Sequence, residues 1–281
     1  MRWALGNFLV FWIGAAGTGW AQLAPPGTGG VAALAGALVQ LGSNKRVLVI
    51  GAHPDDEDTQ LLTLVARGWG GQAAYLSLTR GEGGQNLIGP ELGPELGIIR
   101  TEELLAARRL DGARQFFTRA YDFGYSKSAD ETFRLWPRDS LLRDVIDVMR
   151  RFRPQIVVSV FSGSPRDGHG QHQVAGMLAR DAFRILRDSS WGPVKLYRAA
   201  RGDTTAAILA IPTGGLDPVL GHSYHQLAMA SRSRHRSQDM GAAQAPGPRT
   251  SGGTLVESRV SAPAGEDDGF YAGIDTTLSG I

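Results

Sequence analysis

The sequence predicts an α/β fold, a Rossmann-like and mostly parallel sheet with helices on both faces, and three observations predict it. Apolar runs of strand length occur at Val47–Gly51 and Ala73–Leu78, and Gln155–Phe161 forms a strongly β-branched one. Helical apolar periodicity occupies Glu95–Leu110, Asp139–Phe152 and Gln173–Arg187. The alternation implies parallel βαβ units with the sheet buried on both sides. In such open sheets ligands bind beyond the carboxyl ends of the strands, so polar clusters placed just after a strand mark where a site is expected.

Taken in order, the chain opens with an export pattern. Arg2 supplies a positive charge, an apolar stretch runs from Trp3 to Ala16, and Gly19-Trp20-Ala21 offers small residues for cleavage after Ala21. The stretch is interrupted by Asn7, Gly14 and Gly17 and falls short of the roughly 20 apolar residues a membrane span requires. Residues 1–21 are therefore expected to be a signal peptide, with the mature protein exported to a periplasmic or extracellular location and holding no stable membrane span. Residues 22–44 read as a linker, rich in Pro, Gly and Ala between Ala24 and Gly36. Residues 45–238 form the expected main domain. Residues 239–281 read as a flexible linker to Asp268, followed by "GFYAGIDTTLSGI", a strand-like run that would open a further module.

Composition narrows the function classes. With 281 residues, of which 42% are hydrophobic, the chain can build one sizeable core. A formal net charge of +2 argues for neither nucleic acid nor an anionic membrane surface as partner. There is no cysteine, so any metal site must be built from His, Asp and Glu.

The segment "IGAHPDDED" closes the first predicted strand with His53, Asp55, Asp56, Glu57 and Asp58. It leads into a predicted helix Thr59–Ala66, whose N-terminus tolerates anions, and Asp58 is the natural cap. A cap accounts for one carboxylate only. Mutual repulsion among the others is relieved most simply by a cation, and the adjacent histidine offers a nitrogen donor that suits zinc better than magnesium. "RDGHGQHQ", residues 166–173, follows the strand at 155–161 and places His169 and His172 at a loop-to-helix junction facing the same cleft. Two His and one Asp with an open position make the ligand set of a catalytic zinc.

"AHPDDE" (52–57), "TRGEGGQN" (79–86), "IRTEELLAA" (99–107) and "HGQH" (169–172), in this order, resemble the LmbE/PIG-L family of zinc-dependent de-N-acetylases. The resemblance covers residues 45–200. It implies a Zn2+ ion held by His53, Asp56 and His172, with Asp55 as general base on the metal-bound water and His169 assisting at the oxyanion or leaving group. An imidazolium at His169 is the expected form. It further implies that Arg80 contacts sugar hydroxyls, with Glu82 and Asn86 of the same motif completing the substrate-binding set. The implied activity is removal of an acetyl group from an N-acetylated sugar or glycoconjugate. Gln171 stands where the family usually has Asp, which leaves Asp167 as the alternative carboxylate for His169.

Arg100 and Glu103, three apart on a helix, have the spacing of a surface pair. His222, Tyr224, His225 and the basic run 232–236 read as a solvated face, the alternative being an exposed helix with phosphate or glycan contacts. Two other functions compete with the deacetylase. One is a carbohydrate-binding module on the same fold without catalysis, which would have no use for Asp55 beside the metal ligands. The other is a Rossmann-type nucleotide binder, which would need a Gly-rich phosphate loop where His-Pro-Asp-Asp stands.

Overall fold

A computed structural model of the protein describes residues 29–200, 209–261 and 269–278. The expected signal peptide lies outside them. In chain order the elements are α1 (Gly30–Gln40), β1 (Arg46–Gly51), α2 (Thr59–Thr63), β2 (Gln72–Ser77), α3 (Pro94–Asp111) and β3 (Arg114–Phe117). They continue with α4 (Ala129–Phe133), α5 (Arg138–Phe152), β4 (Ile156–Ser159), α6 (Gly170–Leu186), β5 (Lys195–Ala199) and β6 (Leu209–Pro212). A two-residue ladder, β7 (Leu216–Asp217) and β8 (His222–Ser223), precedes α7 (Tyr224–Arg232) and β9 (Thr250–Ser258).

The main sheet runs β3-β2-β1-β4-β5-β9-β6. The first five strands are parallel, and β9 pairs antiparallel with both β5 and β6. The order reverses between β1 and β4, so the crevice for a ligand opens beyond Gly51 and Ser159. Val47, Leu48, Val49 and Ile50 are all fully buried, as a strand covered on both faces demands. Asp58 caps α2, accepting from the amides of Gln60 and Leu61 at 3.0 Å.

Two segment expectations are corrected. Residues 22–44 are not wholly linker, because α1 occupies 30–40. Within 239–281, the described residues are not a flexible tether either. Their Thr250–Ser258 stretch completes the sheet, Ser251 hydrogen-bonds the capping Asp58, and Phe270 is 4% exposed against Trp69 and Tyr197. The Gly, Ala and Ser content of this region disguised a strand whose pairing with β5 and β6 rests on its backbone ladder, with Ser251 and Glu257 adding side-chain bonds.

Candidate metal centre

The strand-to-helix turn after β1 brings donors together by its own hydrogen bonds. Asp56 Oδ2 accepts from the amides of Ala52 at 2.9 Å and His53 at 2.8 Å, while the Asp55 and Asp56 amides return to His53 O. The Tyr75 hydroxyl, from the neighbouring strand β2, donates to the same His53 carbonyl at 2.6 Å. Gly51 must be glycine here, since a Cβ would collide with the Tyr75 hydroxyl and with Asp56 Cβ.

From the other side of the crevice, α6 delivers His172. Its Nε2 lies 3.2 Å from His53 Nδ1 and 3.8 Å from Asp56 Oδ1, and the three donor atoms of His53, Asp56 and His172 fall within 4.8 Å of one another. Two nitrogens bound to one tetrahedral ion at about 2.0–2.1 Å would lie about 3.3 Å apart, so the spacing and the nitrogen-oxygen donor set fit such an ion. Electrostatics agree. Burial alone would lower the pKa of His53, but the hydrogen bond and charge of Asp56 outweigh it and raise the group to about 9. The carboxylate thus draws a positive charge to the position a cation would take. Burial lowers His172 to about 4, which keeps its imidazole neutral and able to ligate. His172 is oriented by Asp167 O at 3.4 Å and by stacking on Phe161, with ring centroids 4.0 Å apart.

Gln171 does not serve His169. Its Oε1 faces His53 Nε2 at 2.8 Å, and its Nε2 donates to Asp122 Oδ1 at 3.2 Å and Gly124 O at 2.8 Å. Asp167 is likewise occupied elsewhere, closing its own turn against Ser162, Gly163 and Ser164. His169 is the N-cap of α6, its Nδ1 accepting from the Gln171 amide at 3.3 Å. Burial, then the charge of His53, lower its pKa. An accepting Nδ1 and a pKa lowered by burial favour a neutral ring with its proton on Nε2 over the expected imidazolium.

Asp55 is half-buried beside the cluster, and burial followed by the charge of Asp56 raises its pKa to about 6. His53, Asp55, Asp56, His169 and His172 line one cavity of about 540 Å³, together with Arg100, Asp122, Tyr125, Arg232 and Gln238. Tyr125 is 72% exposed at the rim, its ring 5.1 Å from that of His169.

The other expected contacts are placed differently. Arg80 is exposed and lies outside this lining, its guanidinium 4.1 Å over the Phe117 ring. Glu82 is buried and binds the amides of Arg80 and Asp122 at 3.1 Å, so it shapes the loop instead of facing the cavity. Asn86 donates to Glu91. Arg100 and Glu103 do not pair. Arg100 is 3% exposed and donates to Gln85 O, in space that the missing Cβ of Gly84 leaves open, while Glu103 accepts from Ser237 N and Oγ. Nor is the stretch 222–236 a solvated face: His225 bonds Gln60, Arg232 reaches the cavity, and His235 is fully buried against Glu57. Asp122, Tyr125 and Gln238 escaped the sequence reading because no strand end or motif spacing marks them, and Arg232 stands out there only as part of a basic run.

Residues 48–183 match the family model described as PIG-L, GlcNAc-PI de-N-acetylase. A 1D-myo-inositol 2-acetamido-2-deoxy-alpha-D-glucopyranoside deacetylase of Thermobispora bispora is 26% identical over 198 residues, 64% of this chain and 65% of the relative. A diacetylchitobiose deacetylase of Thermococcus kodakarensis is 31% identical over 140 residues, 49% of each chain. The chain thus spans between about half and just under two thirds of the length of these curated relatives. Among solved structures, an N,N'-diacetylchitobiose deacetylase from Pyrococcus horikoshii shares the fold, with a TM-score of 0.50 at 17% identity over 70% of this chain and 71% of that one.

Proposed function

We propose that residues 48–183, a segment of the PIG-L family, make this chain a zinc-dependent hydrolase that removes the acetyl group from an N-acetylated amino sugar or its glycoside. The observation that carries the reading is the convergence of His53, Asp56 and His172 beside Asp55 in one cavity. Zinc held by these three residues would supply Lewis acidity toward the amide carbonyl and acidify a water beside it.

The chain's own groups divide the remaining work. Asp55 takes the proton of the attacking water and hands it to the departing nitrogen, and a pKa raised to about 6 suits a group that must do both near neutrality. His169, neutral and with Nδ1 engaged as a helix cap, donates from Nε2 to the oxygen that gains charge. Gln171 holds the His53 ring. Tyr125 offers an exposed aromatic face at the rim, where a pyranose ring can stack. The names of the relatives support a 2-acetamido-2-deoxy sugar as the substrate class.

The test is amine release from a panel of N-acetyl sugars and their glycosides, lost with a chelator and restored by zinc. Saturable sugar binding with no amine released from any of them would favour the binding module and overturn the reading.

Export is part of the same proposal. It rests on Arg2 and the apolar stretch 3–16, and it predicts a mature N-terminus near Gln22. Recovery of soluble cytosolic protein with Met1 intact would refute it. Among the described residues no helix is long and apolar enough to cross a membrane.

A further inference from the structure

The turn that carries Asp55 and Asp56 is gripped from outside by residues distant in sequence. Gln238 Nε2 donates to Pro54 O at 2.8 Å, Arg232 Nη1 donates to Asp55 O at 3.1 Å, and His235 Nε2 meets Glu57 Oε1 at 2.7 Å. Gln238 is 6% exposed and His235 fully buried. This segment is itself fastened to α3, through Ser231 Oγ on Asp111 at 2.7 Å and Ser237 on Glu103. It lies wholly outside the residues matched to the family.

The two bonded carbonyls flank one residue. Pro54 C=O belongs to the peptide plane entering Asp55, and Asp55 C=O to the plane leaving it. A planar peptide cannot turn while its oxygen is held, so fixing both planes fixes the backbone dihedrals of Asp55 and the direction of its Cα–Cβ bond. The Asp55 carboxylate has no hydrogen-bond donor among the described residues, so nothing on the side chain duplicates this control.

We propose that Arg232 and Gln238 are positioning residues that clamp the peptide planes on either side of Asp55 and so aim its carboxylate into the cavity. The catalytic consequence rests on the proposed role of Asp55 as base, whereas the clamp itself does not. Misplacing a reacting group by about 1 Å can cost about 10²-fold in rate.

The experiment uses the full chain as wild type, Gln238→Leu, Arg232→Met and Arg232→Lys. Amide hydrogen exchange over residues 52–58 reads the clamp, because the amides of Ala52, His53, Asp55 and Asp56 are bonded within the turn. Exchange there should quicken about tenfold in the Leu and Met variants, the scale of one lost buried hydrogen bond, and stay unchanged in β1 and α6. Arg232→Lys, which keeps a donor, should restore most of the protection. In the same preparations kcat should fall about tenfold or more, with KM within about threefold and bound zinc unchanged.

Unchanged exchange over 52–58 in both donor-less variants would overturn the clamp, as would a rise spread evenly over the protein or a loss confined to KM. Faster local exchange in a protein whose wild type releases no amine would leave the clamp standing and remove the proposed activity.

Discussion

Gln171 Oε1 lies 2.8 Å from His53 Nε2, and this contact decides which nitrogen of His53 faces the metal position. The orientation of the amide is fixed by its other end, since Asp122 Oδ1 and Gly124 O can only accept from Gln171 Nε2. Nε2 of His53 must then carry hydrogen, and Nδ1 is the atom turned toward His172 and Asp56. A neutral amide thus performs the orienting role that a carboxylate commonly plays beside a ligating histidine.

Replacing Gln171 with Leu removes the acceptor while keeping most of the volume. Metal affinity should weaken about 10–100-fold, measured by competition with a chelator of known affinity. Affinity equal to wild type would show that His53 needs no such support.

Metal binding should be linked to proton release. Below pH of about 9 the metal-free His53 keeps its proton, so a cation must expel it, and apparent affinity should rise with pH by up to about tenfold per unit below that value. Calorimetric titrations in buffers of different ionisation heat should report about one proton released near pH 7. An affinity that does not change with pH would contradict the assignment of His53 as ligand.

Asp55→Asn keeps the shape of the side chain and the three metal donors. Bound zinc should persist while kcat falls about 10²–10⁴-fold with little change in KM. In the wild type the base must be ionised, so kcat should decline as pH falls through about 6, or lower once a bound cation stabilises the carboxylate. Parallel loss of zinc and activity would make Asp55 a support of the metal instead.

Tyr125→Ala should raise KM for sugar substrates about three- to tenfold and leave kcat nearly intact, consistent with about 0.5–1.5 kcal/mol for an aromatic contact. A change in kcat alone would move the ring from substrate binding to the chemistry.

Glu57→Leu should lower stability by about 3–5 kcal/mol, seen as a fall in Tm of order 10 °C, because His235 would stay buried without its partner and Arg108 would keep only Asp111. Burial opposes ionisation of Glu57, yet His235 and Arg108 hold its carboxyl well below the usual range. The stabilisation is therefore full above the unfolded-state pKa and lost as pH falls toward the folded one. A variant melting within 2 °C of wild type, taking about 2–4 °C per kcal/mol for a chain of this size, would contradict this account.

Much of this architecture is legible in the sequence, and the illegible parts share a cause. β1, β2, β4 and the long helices announce themselves because burial on both faces requires continuous apolar runs or clean helical periodicity, as at Val47–Ile50. The metal donors stand out because His53 and His172 each follow a strand end or open a helix. β9 is invisible by the same test. Its Ser251, Gly252 and Gly253 are held by backbone pairing with β6, which leaves no hydrophobic pattern. Gln238 is hidden for a related reason, as is the partner of Arg232, since a side chain that meets a carbonyl 184 or 177 residues away obeys no local spacing. Arg100 and Glu103 mislead in the opposite direction, offering an ideal helical interval while each serves a different distant partner.

The antiparallel strand β9 gives the molecule an order of assembly. A nascent chain holds both histidines and both aspartates of the centre once residue 172 has emerged. The residues that grip the turn come 60 and more later, and the strand that seals the sheet between β5 and β6 comes last of all among the main-sheet strands described. Pairings across such sequence separations form late, because the intervening loop must lose its freedom first. The donors His53, Asp56 and His172 therefore precede in the chain every residue that grips the turn between them, and the surroundings of Asp55 are completed only after the cluster itself can form.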